Sequence, residues 1–207
     1  MKFRYLIPLV VGLLGCEPPE PVDYSELVRE GVTDLDPTTM KPYSGPVFSL
    51  HEGTSTVASR GRLADGLRDG TWEYYDEDGR LREKSSFSKG APDGLSEEYG
   101  VDGQLRSRTR YSNGERDGPS ETFHSNGQLA GRVSYSNGQR EGPAETFHPN
   151  GQLWTRLSYS DGGRDFSEEA YDADGRLLTK RSYSDDEPCG EWFEQGEAAT
   201  YPPCPNG

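Results

Sequence analysis

GPSETFHSNGQLAGRVSYSNGQRE, residues 118–141, runs directly into GPAETFHPNGQLWTRLSYSDGGRD, residues 142–165. The two rows agree at glycine, aromatic and leucine positions, so the chain repeats itself with a period of 24 residues. A fixed period of this size marks an array of similar units, each burying little by itself, rather than one irregular core. Extending the rows in both directions preserves the columns. One glycine column holds Gly70, Gly94, Gly118 and Gly142, and a second holds Gly79, Gly103, Gly127, Gly151 and Gly175. Leu81, Leu105, Leu129, Leu153 and Leu177 form a leucine column. Aromatic residues fill two more: Tyr75, Tyr99, Phe123, Phe147 and Tyr171, then Phe87, Tyr111, Tyr135, Tyr159 and Tyr183. Five units are clear, a degenerate one precedes them around Tyr43 to Arg68, and a truncated one follows, where Gly190-Glu191-Trp192 echoes Gly70-Thr71-Trp72.

Each unit contains two short runs separated by Asp-Gly or Asn-Gly, as at Asp78-Gly79, Asn126-Gly127 and Asn150-Gly151. These pairs accept the positive φ angles of tight hairpin turns, so each unit reads as a β-hairpin. A second turn, as at Ser112-Asn113-Gly114 or Ser136-Asn137-Gly138, leads into the next unit. The runs are too short for helices, and their apolar positions recur at intervals of two and six. The fold expected is therefore all-β: an elongated, single-layer antiparallel meander of about six to seven tandem hairpins over residues 43–194. Since 24 is even, the columns at Tyr75, Leu81 and Phe87 would share one face through every unit, provided that turns and bulges leave the parity intact. That face would be a ladder of rings and leucines whose cross-strand pairs supply the cohesion that an isolated hairpin lacks.

Composition agrees with a thin structure. Of 207 residues, 30% are hydrophobic, 11% are aromatic and 26 are glycine, which leaves little for a thick interior. The 22 basic residues against 36 acidic ones give a net charge of −14 and argue against nucleic acid, whose binding depends on clustered Lys and Arg.

At the N-terminus, Lys2 and Arg4 precede an apolar run from Leu6 to Leu14, which is too short to span a bilayer and has the order of parts of an export signal. Leu13-Leu14-Gly15-Cys16 resembles a bacterial lipobox, which implies removal of residues 1–15 and lipidation of Cys16. Leu14 is bulkier than the family pattern favours, which keeps plain secretion as the alternative. The expected location is outside the cytoplasm, tethered to a bacterial membrane in the periplasm or at the cell surface. Residues 16–42, rich in proline and acid, read as a stem, with a short helix over Tyr24 to Glu30 capped by Asp23 and Glu26 and stopped by Gly31. Cys189 and Cys204 remain in an oxidising compartment, where a disulfide closing part of the 195–207 tail is the natural pairing and two free thiols are the alternative.

Candidate sites are few. His124 and His148 share a column, but equivalent positions lie two strands apart, roughly 9 to 10 Å, which is too far for one zinc ion. Asp76-x-Asp78-Gly79 and Asp172-x-Asp174-Gly175 begin like calcium loops, yet Phe87 and Tyr183 stand where the closing Glu belongs. No metal or other cofactor is expected. The most regular charges are Glu73, Glu97, Glu121, Glu145 and Glu169 beside Lys84, Arg108, Arg132, Arg156 and Lys180. They read as cross-strand pairs, with a basic strip for an acidic partner or lipid head group as the sharper alternative. The aromatic ladder reads as packing, and exposed rings on a flat sheet would also suit a sugar face. No nucleophile with its base, phosphate-cradling loop or metal constellation is present in recognisable form, so catalysis is not expected.

The pattern Gly-x-Trp/x-Glu-x-Tyr, then Asn/Asp-Gly-x-Leu, then Tyr-x-x-Gly, resembles the bacterial variant of the MORN repeat, often labelled YwqK-like antitoxin. The resemblance spans Tyr43 to about Trp192 and implies an extended, twisted single-layer sheet that binds rather than catalyses. Phe166 and Asp186 depart from the pattern where glycine belongs, which predicts a bent or bulged fifth unit. The expected partner is a protein, with a toxin or a cell-wall glycan as the alternatives.

Overall fold

The structure, a computed structural model, describes residues 19–160, 165–185, 187–194 and 196–204. Among these, fifteen strands form one sheet, and their order across it follows the chain except at its first edge. The N-terminal part comprises β1 (Val22–Asp23), a two-stranded sheet of β2 (Val28–Glu30) and β3 (Thr33–Leu35), and the first array hairpin, β4 (Gly45–Leu50) with β5 (Val57–Ala64). The clear repeats follow as β6 (Leu67–Tyr75), β7 (Leu81–Ser88), β8 (Ala91–Tyr99), β9 (Leu105–Ser112), β10 (Glu115–Phe123), β11 (Leu129–Ser136), β12 (Gln139–Phe147) and β13 (Leu153–Ser160). Then come β14 (Asp165–Tyr171), β15 (Leu177–Ser184), β16 (Glu187–Glu194) and β17 (Glu197–Thr200). From β4 onward every pairing is antiparallel between consecutive strands, so the sheet is an open meander of tandem hairpins; only β1 lies parallel, against β4.

The turns differ from expectation in a way that matters for register. The Asp-Gly and Asn-Gly pairs inside the units sit in wider loops, in which the glycine alone takes positive φ, 77° at Gly79 and 81° at Gly127. There the Asp76 carboxylate accepts from the backbone N–H groups of Asp78 and Arg80, while the Gly79 N–H returns to the Asp76 carbonyl. This closure accounts for the Asp-x-Asp-Gly motif without a cation. The two-residue turns are those between units. Lys89-Gly90, Asn113-Gly114 and Asn137-Gly138 each place both residues at positive φ, the signature of a type I′ turn.

Every between-unit pairing but one carries a register shift, located at the first glycine column. Gly94 and Gly118 take φ of 112° and 104° there, values that are costly for a residue with a Cβ. At Phe166 the expected bulge is absent. β13 and β14 run in unbroken register from Thr155↔Ala170 to Ser160↔Asp165, because phenylalanine cannot take the glycine conformation cheaply and the ladder continues through it. Four residues separate the paired Ser160 and Asp165, against two between the paired Ser88 and Ala91. The period survives. Asp186 lies outside the described residues.

Residues 22–42, expected as an extended stem, instead close the first end of the array. The predicted helix over Tyr24 to Glu30 is a single 3-10 turn, Tyr24–Glu26, with Asp23 accepting from the Ser25 N–H; Leu27 is already extended and Val28–Glu30 is strand. The hairpin of β2 and β3 and the turn before it bring two side chains onto the nearly buried Asp34 carboxylate: Arg29 Nε donates at 2.9 Å, Tyr24 Oη donates at 2.5 Å, and Arg29 also donates to the phenol oxygen. A helix would have placed Arg29 and Tyr24 apart from Asp34. Tyr24 in turn meets the edge of Trp72, ring centroids 6.0 Å apart. Trp72, Leu63 and Val47 form the most buried cluster, with Tyr24, Leu27, Tyr43, Tyr74 and Phe87 packed against it. Gly61 lies beneath the indole, where a Cβ would come within 2.3 Å of the ring.

Candidate functional site

Directly opposed strand residues share a face, so the register assigns each column to one of two faces. On one face lies an alternating line of charge. Arg60 opposes Glu73, Glu73 opposes Lys84, Lys84 opposes Glu97, and the alternation runs on through Arg108, Glu121, Arg132, Glu145, Arg156 and Glu169 to Lys180. Ion pairs join Arg60 to Glu73 at 2.6 Å, Arg108 to Glu121 and Arg132 to Glu145 at 2.5 Å, and Arg156 to Glu145 at 3.1 Å. The stripe therefore neutralises itself. Glu145, with a side chain 9% exposed, is its most enclosed member. Burial pushes its carboxyl up, but hydrogen bonds from Arg132 and Arg156 outweigh that and hold it below the usual range. For Glu73 the hydrogen bond from Arg60 is the largest influence and lowers the pKa, against a smaller effect of burial.

The aromatic column at Tyr75 belongs to this charged face. The Tyr75, Tyr99 and Tyr171 hydroxyls donate to Glu73, Glu97 and Glu169 on their own strands, and the Arg60 guanidinium lies 5.3 Å from the Tyr75 ring centre. Tyr75 pairs with Leu81, Tyr99 with Leu105, Phe123 with Leu129, Phe147 with Leu153 and Tyr171 with Leu177, each across a register shift inside the hairpin. That shift corrects the expectation of a single aromatic face. It adds one residue between Leu81 and Phe87, breaks the parity, and sends the Phe87, Tyr111, Tyr135, Tyr159 and Tyr183 column to the opposite side, three residues from the charged stripe on each strand.

This second face is held differently at its ends and in its middle. At the first end Trp72 packs beside Phe87, with Arg68 over the indole at 4.7 Å. At the far end Trp192, in the same column, lies 5.2 Å from Tyr183 and 4.6 Å from Tyr201. The Cys189–Cys204 disulfide, Cα atoms 5.0 Å apart, holds the returning chain over that indole, where the Gly190 N–H donates to the Pro202 carbonyl and the Tyr201 N–H to the Gly190 carbonyl. Between the ends the column carries Ser96, Ser120 and Ala144 in the middle units, too small to cover the sheet, and then Glu168.

In that middle stretch the face presents Tyr111, Arg116, Tyr135, Arg140 and Tyr159 in alternation. Arg116 opposes Tyr111, and Arg140 opposes Tyr135. Each guanidinium also reaches the next tyrosine: Arg116 donates to Tyr135 Oη and Arg140 to Tyr159 Oη, both at 3.3 Å, with the cations 5.3 and 5.6 Å from those ring centres. Burial pushes the Tyr135 phenol up, but hydrogen bonds from Arg140 and Arg116 outweigh it and bring its pKa below the usual value. Neither arginine has a carboxylate partner within ion-pair distance among the described residues. Arg116 and Arg140 escaped the reading of the sequence, although they share the column of Arg68 and the signal was present in the aligned rows.

The remaining candidates resolve into architecture. The Phe147 carbonyl lies 2.9 Å from His124 Nε2 and the Tyr171 carbonyl 3.3 Å from His148 Nε2, so each imidazole links its loop to the next unit. Gly79, Gly103, Gly127, Gly151 and Gly175 all take positive φ in the wide loops. Among the described residues no group of three or more His, Cys, Asp or Glu is placed to hold a metal ion, and no helix is long and apolar enough to cross a membrane. Cys16 lies outside the described residues.

A single layer of tandem hairpins with two unlike faces defines a repeat-sheet protein. The MORN repeat variant matches residues 68–89, 116–137 and 140–161, so these three segments are similar to that repeat. Arg68, Arg116 and Arg140 open the three matched segments. Among curated proteins, none matches the chain.

Proposed function

We propose that the protein is a non-catalytic interaction module, exported and held on a bacterial membrane by lipid at Cys16, which offers its extended sheet to a protein partner. The observation that carries this reading is the openness of the sheet: fifteen strands lie in one layer, and over the middle repeats no other described element packs on either face. Such a layer spends most of its residues on surface, which suits recognition over a long, shallow contact. The apolar run ending in Leu13-Leu14-Gly15-Cys16 supports the tether. Neutralisation of a toxin is the specific form of binding that the resemblance to YwqK-like antitoxins suggests.

Two measurements test the proposal. Metabolic labelling with a palmitate analogue should mark the wild type and fail in Cys16→Ala; equal labelling of both removes the anchor. Photo-crosslinkers placed at array positions in the native cell should capture one defined protein, and a toxin among the captured species would select the antitoxin form. Absence of any protein adduct from either face would overturn the module.

A further inference from the structure

The middle of the second face has a chemistry that its surroundings do not use. The chain carries a net charge of −14, and on the opposite face the stripe arginines find carboxylates at 2.5 to 3.1 Å. Arg116 and Arg140 find only phenols, which orient a guanidinium without neutralising it. Each guanidinium has five N–H donors, and tyrosine hydroxyls engage at most a few of them. Two cations are thus pre-positioned on aromatic rings, with their charge unmet.

Their spacing is set by the sheet. Equivalent residues of consecutive units are two strands apart, so Arg116 and Arg140 stand roughly 9 to 10 Å from each other. A polyproline II helix rises about 3.1 Å per residue with three residues per turn, which places carboxylates at i and i+3 about 9.3 Å apart on one side. An extended β-strand offers about 6.7 Å at i+2 and 13 Å at i+4 on one side, and matches neither way. Proline rings between the acids would meet Tyr111, Tyr135 and Tyr159, the kind of aromatic row that receives polyproline segments.

We propose that Tyr111, Arg116, Tyr135, Arg140 and Tyr159 form a docking strip for an acidic, proline-rich segment of a partner protein, bound as a polyproline II helix across the strands with carboxylates three residues apart on Arg116 and Arg140. This rests on the interaction-module reading and gives it a partner chemistry. The strip is one chain wide and lies on a strongly acidic body, which disfavours a broad anionic surface such as a phospholipid bilayer. The chain's own Glu17-Pro18-Pro19-Glu20 segment has the same acid spacing. It cannot serve its own strip, because Val22 is paired with Val47 on β4, six strands from β10.

The test is fluorescence anisotropy of a labelled peptide of about four Glu-Pro-Pro repeats titrated with the full chain, alongside Lys-Pro-Pro and Glu-Gly-Ser peptides of equal length. The Glu-Pro-Pro peptide should bind at least about tenfold more tightly than either control, and Arg116→Gln with Arg140→Gln should remove at least about tenfold, since each charged hydrogen bond is worth about that much. Circular dichroism and thermal unfolding of the double variant should match the wild type. Arg116→Lys with Arg140→Lys, which keeps the charge and loses the planar fork, should recover only part of the affinity. Equal binding of Glu-Pro-Pro and Glu-Gly-Ser, or an unchanged affinity in the glutamine variant, overturns the proposal. Binding of anionic vesicles that depends on the two arginines would reassign the strip to lipid, and self-association through residues 17–23 would reassign it to a second copy of the chain; either result also overturns it. Crosslinking of a partner elsewhere on the array while the peptide fails would sink this inference and leave the module standing.

Discussion

Trp72→Ser replaces the indole by the residue that the same column carries in two inner units, Ser96 and Ser120. The strand itself should accept it. What is lost is the packing of a side chain only 1% exposed, its edge contacts with Tyr24 and Phe87, the Arg68 cation over its ring and its N–H bond to the Arg62 carbonyl. Truncating a buried tryptophan costs about 3 to 5 kcal/mol, and Gly61 beneath the ring has no side chain with which to fill the space. A value near 4 kcal/mol corresponds to an opening equilibrium raised by almost a thousandfold. In an array stabilised by neighbour contacts, that loss should stay local. Hydrogen exchange followed by mass spectrometry should show protection collapsing over 22–35 and β4 to β7, while β10 to β13, which carry Ser120 and Ala144 in the Trp72 column, keep theirs. Loss spread evenly over β4 to β16, or no loss at all, would refute the reasoning.

Glu145→Gln should destabilise the array by about 1 to 2 kcal/mol in urea titrations at neutral pH, because two charged hydrogen bonds are weakened while Arg132 and Arg156 can still turn to water. The sign of the pH effect follows from the depressed pKa of Glu145 in the folded state: its contribution is complete above the unfolded value of about 4.3 and is lost as pH falls through the lower folded value. The gap between variant and wild type should therefore close below about pH 4, and a gap that persists in acid would assign the effect to packing. Cys189→Ser removes a bridge between residues 15 apart, worth up to about 3 kcal/mol in the chain-entropy model, and should release β17 and expose Trp192 to quenchers without changing exchange in β8 to β12. Unaltered quenching of Trp192 would contradict the role given to the bridge.

The period was legible because every unit needs glycine, leucine and rings at the same places, and that regularity implied hairpins and their sequential pairing. The faces were harder. One extra residue per hairpin, between Leu81 and Phe87, reverses parity, and nothing in the side chains of Arg82 or Glu83 announces a bulge; the separation of the Tyr75 and Phe87 columns follows from backbone geometry alone. The charged columns were legible as pairs, since opposite charges at positions that face each other stabilise a ladder. Arg116 and Arg140 were visible but unweighted, because their meaning depends on which face they share. The folding of residues 22–42 onto Trp72 was hidden for another reason: Tyr24, Arg29 and Asp34 form a long-range arrangement inside a segment whose composition, rich in proline and acid, reads as unstructured.

The central claim is that the repeats extend in one line, each adding two strands to an open sheet. Pairs of spin labels at the equivalent exposed positions Arg80, Gln104, Gln128, Gln152 and Arg176, with Cys16 replaced, measure this directly by double electron–electron resonance. Distances from position 80 should rise by about 9 to 10 Å per repeat, reaching roughly 38 Å across four. A plateau after the second repeat, as a closed barrel or a compact globule would give, would contradict the account.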